Sequence, residues 1–151
     1  MTHVLTREQV LPGEPEEVFS FFADAFNLEA ITPPWLRFRV VTPGPLEMGP
    51  GTLIEYRLRL HRVPIRWLTR IEAWEEGRRF VDVQVRGPYR LWHHSHTFQG
   101  HADGTLVRDE VRYALPLGPL GRLAHAAFVR RDLERIFDFR RAALTARTIS
   151  K

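Results

Sequence analysis

The chain has 151 residues, 44% hydrophobic and 26% charged, with a net charge of +4 and no cysteine. That length suits a single domain, here residues 1–151, able to bury about 70% of the surface its unfolded chain would expose. The composition excludes a disulfide framework, a thiolate nucleophile and sulfur-ligated zinc, and no apolar run approaches the ~20 residues that span a bilayer.

The N-terminal residues, with His3 to Leu11 roughly alternating, carry no long apolar core or cleavage site and read as a first strand closed by Pro12-Gly13. A cytoplasmic protein is the expectation. Pro15, acidic residues 14, 16 and 17 and the apolar residues Val18, Phe19, Phe21 and Phe22 signal a short helix, and a second helical turn over Phe26 to Ile31 must stop before Pro33-Pro34.

From Leu36 onward the period changes to two. Strand-like runs cover Phe38 to Val40, Thr52 to Leu60, Ile65 to Trp74, Phe80 to Arg86, Tyr89 to Gln99 and Thr105 to Leu115. Their breaks carry turn residues, among them Glu76-Gly77, Gly87-Pro88 and Asp103-Gly104, and connections this short favour antiparallel neighbours. After Pro116-Leu117-Gly118-Pro119 the spacing of Val129, Leu133, Ile136, Phe137 and Leu144 predicts one long terminal helix. Its opening, Leu120 to Phe128, is apolar over a wide arc and is expected to be buried on more than one side, near a pocket.

These elements predict an α+β fold in which a seven-stranded curved antiparallel sheet wraps a long C-terminal helix, with two short helices after the first strand. Period-two parity then selects a lining: Ile54, Tyr56 and Leu58; Trp67, Thr69 and Ile71; Phe80, Asp82 and Gln84; Trp92, His94, His96 and Phe98; Val107, Asp109, Val111 and Tyr113. A one-residue slip in register would reverse any set. Two imidazoles between an indole and a phenyl ring suit a partly polar cavity wall better than a dry core or a wet surface. Trp35, beside the proline bend, either caps that cavity or packs in the core.

The order of elements, with Pro33-Pro34-Trp35-Leu36, Gly87-Pro88-Tyr89, Trp92 to Phe98 and Leu115-Pro116-Leu117-Gly118, resembles the START-related superfamily SRPBCC, in particular its small bacterial polyketide cyclase/dehydrase-like members. The resemblance covers nearly the whole chain. It implies a helix-grip fold with a ligand cavity between sheet and terminal helix, and it does not name the ligand.

The expected ligand-binding set is Trp35, Tyr56, Trp67, Thr69, Asp82, Gln84, Trp92, His94, His96, Phe98, Asp109 and Tyr113, with His94 and His96 as candidate catalytic residues. His94-Ser95-His96 aims two imidazoles the same way, yet two ligands do not make a metal site, residues 97–102 supply no further carboxylate, and Asp82 or Asp109 could contribute only if their strands adjoin. No metal and no cofactor are therefore expected. A histidine oriented by a carboxylate could serve as a general base, or these groups could hydrogen-bond only to one another. No nucleophile elbow, phosphate loop or dinucleotide fingerprint is present.

The expected function is binding of a small hydrophobic molecule, lipid-like, aromatic or polyketide-like. The alternatives are an aromatase/cyclase or dehydratase using a cavity histidine, and a partner-binding module with a vestigial cavity. The arginines are scattered among carboxylates, so no nucleic-acid partner is expected, nor stable membrane insertion. Lys151 is the lone lysine and Asn27 the lone asparagine, a bias produced by heat adaptation or by a GC-rich genome.

Overall fold

A computed structural model describes residues 2–149; Met1, Ser150 and Lys151, the ends of the expected domain, lie outside the described residues. Strand β1 spans His3–Leu11, helix α1 Pro15–Ala23 and β2 Arg39–Val40. Strands β3 to β7 follow at Leu53–Leu60, Val63–Glu75, Arg79–Arg86, Leu91–His101 and Gly104–Ala114. The second helical turn is a 3₁₀ segment over Ala25–Ile31, where the Asp24 carboxylate accepts from the Phe26 N–H.

All seven strands form one antiparallel sheet in the order β1-β7-β6-β5-β4-β3-β2. It is a meander whose last strand is closed by the first. Register is set by burial: in β3, Ile54, Tyr56 and Leu58 face inward while Arg57 and Arg59 face water. Gly104 is required at the β6–β7 turn, because its φ is +134° and a Cβ there would lie 2.1 Å from the Leu11 carbonyl oxygen.

Helix α2, Pro119–Ala124, leads through a π-helical turn, His125–Val129, into α3, Arg130–Ile149. Burial of Leu133, Phe137 and Leu144 seats α3 on the sheet's inner face. The expectation for its approach fails. Leu120 and Leu123 are each 66% exposed and Phe128 is exposed as well, while Gly121 alone of α2 is buried. The sheet grips the helical segment only from about Leu133, so the broad apolar arc before it faces outward.

The core has a plug at one end. Phe19 and Phe22 of α1 join Ile31, Phe80, Phe98, Val107 and Leu144 in a cluster without polar groups. This plug fills one end of the trough, and a cavity lies farther along, between β3–β6 and α3.

Candidate ligand cavity and its polar floor

The cavity has a volume of about 170 Å³. Its apolar walls are Leu36, Phe38, Leu58, Trp67, Trp92 and Ile136, and its floor is Thr69, Asp82, His94, His96 and Arg140. Ligand pockets ordinarily measure roughly 300–1,000 Å³. The space is smaller because aromatic rings fill the trough: Trp67 meets Trp92 edge-on at 5.1 Å, and Tyr89 lies 4.9 Å from Trp92.

Of the expected ligand-binding set, Tyr56, Trp67, Thr69, Asp82, Trp92, His94 and His96 reach this cavity. Five residues do not, each for a physical reason. Trp35 is 50% exposed on the outside of α3, with the Arg135 guanidinium 5.2 Å from its ring. Gln84 spends its amide on the backbone of Tyr89, donating to the carbonyl at 2.7 Å and accepting from the N–H at 3.0 Å, which fixes the Gly87-Pro88 turn. Phe98 belongs to the plug. Tyr113 is buried with its hydroxyl 2.8 Å from His125 Nε2, and that imidazole stacks on His3. Asp109 lies behind the floor, beneath the histidines.

Parity on the strands could not reveal Arg140, which completes that floor. It stands on the apolar stripe of α3, three residues after Phe137 and four before Leu144, where a lone cation among buried positions is the available signal. Its guanidinium donates to Asp109 Oδ1 at 3.3 Å and lies 5.2 Å from the Phe22 ring.

The pairing of β6 with both neighbours assembles the rest: Asp82 is opposite His94, and His96 is opposite Asp109. Asp109 Oδ1 lies 2.9 Å from His94 Nε2 and 3.2 Å from His96 Nδ1, and Asp82 Oδ2 lies 2.6 Å from His96 Nε2. The two imidazoles stack 3.7 Å apart, and Phe80 covers the other face of His96 at 4.1 Å.

An ionised carboxylate only accepts, so the network assigns protons. Burial opposes the charge of His96, but the contacts to Asp109 and Asp82 outweigh it and raise its pKa. The two flanking carboxylates thus favour the imidazolium form of His96, although its buried Nδ1 contacts Asp109 off the hydrogen-bond direction. Burial and the neighbouring His96 charge lower the pKa of His94, overcoming the opposite pull of both aspartates. His94 is therefore neutral, with its proton on Nε2 facing Asp109. Its Nδ1 has no hydrogen-bond partner among the described residues and carries a lone pair in a cavity-lining ring.

Burial alone would push Asp109 up, but Arg140 and the two histidines hold it well below the usual carboxylate range. Asp82 is likewise lowered against its burial, chiefly by the His96 hydrogen bond. Burial keeps the Tyr56 phenol protonated. With His96 protonated, the floor and the Asp109 carboxylate beneath it sum to zero formal charge, and His94 Nδ1 keeps an unused lone pair.

A curved antiparallel sheet closed on a C-terminal helix, with an apolar cavity between them, defines a helix-grip protein. The chain belongs to the SRPBCC family described as polyketide cyclase / dehydrase and lipid transport, whose profile matches residues 2–148. Similar solved structures include TTHA0849 from Thermus thermophilus, 21% identical with a TM-score of 0.73 and 98% of each chain covered. Another is the ZhuI aromatase/cyclase from Streptomyces sp. R1128, 12% identical with a TM-score of 0.72, covering 98% of this chain and 94% of that one. Ara h 8.0201 is 16% identical with a TM-score of 0.72 over the whole of both chains. At these identities the likeness establishes the fold. No curated protein matches the sequence. Among the described residues, no helix is long and apolar enough to cross a membrane.

Proposed function

We propose that the protein binds a small, ring-containing hydrophobic molecule bearing one hydroxyl group. The observation that carries this is an apolar cavity of about 170 Å³ ending on a ring nitrogen without a partner. Apolar cavities of roughly 150 Å³ take up a benzene-sized molecule, so one ring, or two in a slender arrangement, matches the volume better than a long acyl chain. The hydroxyl would donate to His94 Nδ1, and the ring would lie against Trp67 and Trp92. Open space beside the two histidines also speaks against a filled, vestigial interior.

Binding of a fluorinated phenol, followed by fluorine NMR, tests this. Leu58 lines the cavity wall, and Leu58→Trp would fill the space with an indole. The variant is expected to weaken phenol binding at least tenfold while costing about 1–3 kcal/mol of stability from overpacking. Equal binding by parent and variant would place the ligand elsewhere.

The same free nitrogen favours a second reading, aromatase/cyclase or dehydratase chemistry in which His94 removes a proton beside a carbonyl. Deuterium exchange at the α-carbon of a small cyclic ketone, catalysed by the parent and abolished in His94→Gln, is its expected signature.

A further inference from the structure

We propose that Asp82, His94 and His96 form a binding site for a divalent first-row transition-metal ion, with the remaining coordination position open to the apolar cavity. The sequence offers two imidazoles and no third ligand nearby in the chain. The fold supplies the third by pairing β5 with β6, which sets Asp82 opposite His94. One ligand atom from each of the three side chains lies within 4.8 Å of the others.

Two imidazoles and one carboxylate are a donor set suited to zinc-like or ferrous ions, and three protein ligands leave a position free for water or ligand. A tetrahedral ion with bonds of about 2.0–2.2 Å requires donors roughly 3.3 Å apart. To reach that spacing on binding, the 2.6 Å contact between Asp82 and His96 would open and the separations of up to 4.8 Å would close.

The surroundings are those of a metal centre one layer out. Metal-ligating histidines usually give their second ring N–H to a carboxylate, which fixes ring and tautomer. Asp109 stands at that place for His94, hydrogen-bonded to its Nε2, and lies 3.2 Å from His96 Nδ1 off the hydrogen-bond direction, which leaves His94 Nδ1 and His96 Nε2 available to an ion. Arg140 pairs with Asp109 at 3.3 Å and also lines the cavity floor, so a bound ion would share that floor with one guanidinium whose charge Asp109 offsets. The metal-bound state differs from the proton-bridged one by a simple exchange: the ion displaces the proton held between His96 Nε2 and Asp82 Oδ2. Balance is kept because that proton leaves to solvent.

The proposal rests on the ligand reading for its cavity: with the ion on His94 Nδ1, the open coordination position replaces that nitrogen as the hydroxyl's partner, and the two readings have separate readouts. The full chain, dialysed against a chelator, is titrated with cobalt(II) chloride while visible absorption is recorded, and protein purified without chelator is analysed for metal content. The expected result is one cobalt per chain with intense ligand-field bands, lost or weakened at least tenfold in affinity in His94→Gln, His96→Gln and Asp82→Asn. Leu58→Trp should retain the bands. Far-ultraviolet circular dichroism confirms that each variant is compared in its folded state. Absence of saturable bands in the parent overturns the metal site, whatever the variants do. So does unchanged cobalt binding in the doubly substituted His94→Gln/His96→Gln chain, which would move the ion to another histidine, such as the stacked His3/His125 pair. Phenol binding by the metal-free chain is read independently; its failure would refute the ligand reading and leave the cobalt result standing.

Discussion

Asp109→Ala is expected to destabilise the protein by about 3–5 kcal/mol, the cost of leaving a buried charge without its partner. Asp109 accepts from His94 and Arg140 and neutralises His96, and both Asp109 and Arg140 are nearly inaccessible to water. Removing the carboxylate strands a guanidinium whose Nε already lacks a partner, next to an imidazolium that has lost half its compensation. For a domain of this size each kcal/mol shifts the melting temperature by about 2–4 °C, so a fall on the order of 10 °C is expected in a thermal scan. The double replacement Asp109→Leu/Arg140→Met should recover most of the loss, because an apolar pair carries no desolvation cost. A loss under about 1 kcal/mol for Asp109→Ala would mean that water, not protein, satisfies the floor.

Phe19→Ala is expected to cost a further-reaching but comparable amount, about 3–5 kcal/mol, as large-to-small core changes do when the cavity cannot collapse. Phe19 is 0% exposed and its ring meets Trp74, Phe80 and Phe98 edge-on at 5.1, 5.8 and 5.1 Å. Four aromatic rings from α1 and three strands cannot close over the gap together. The damage should also reach the floor, since Phe80 is the ring that stacks on His96. Chemical denaturation checks the size of the loss, and Phe19→Leu should lose less than half as much. Equal losses for the two variants would show that specific ring packing contributes nothing beyond apolar area.

The inward sets on β3, β4 and β6 were legible because side-chain direction alternates with period two and each strand buries one face. Those rules give Tyr56, Thr69, His94 and His96 an inward face, and all four line the cavity. They failed where position along a strand mattered more than face. Phe98 has the parity of His96 but lies two residues farther toward the plug, and Tyr113 lies at the far end, where helix chemistry claims its hydroxyl. Gln84 shares parity with Asp82 yet sits beside a turn whose backbone groups take its amide. Arg140 was hidden for another reason: a cation on an apolar stripe acquires meaning only once Asp109, 31 residues away in the chain, is known to lie beneath it. Metal chemistry was obscured in the same way, since Asp82 joins the two histidines only through strand pairing. The exposure of Leu120 and Leu123 depends on where the sheet ends relative to the helix, which hydrophobic periodicity does not encode.

The central claim is that the cavity between sheet and helix, floored by His94, is where a ligand sits. Isotope-labelled protein titrated with the fluorinated phenol and followed by two-dimensional NMR tests it most directly. Binding in the cavity should give intermolecular contacts from the phenol ring to Leu58, Trp67, Trp92 and Ile136, with the imidazole signals of His94 shifting more than those of His125. Contacts confined to the outer apolar side chains Leu120, Leu123 and Phe128, with the cavity resonances unmoved, would contradict it.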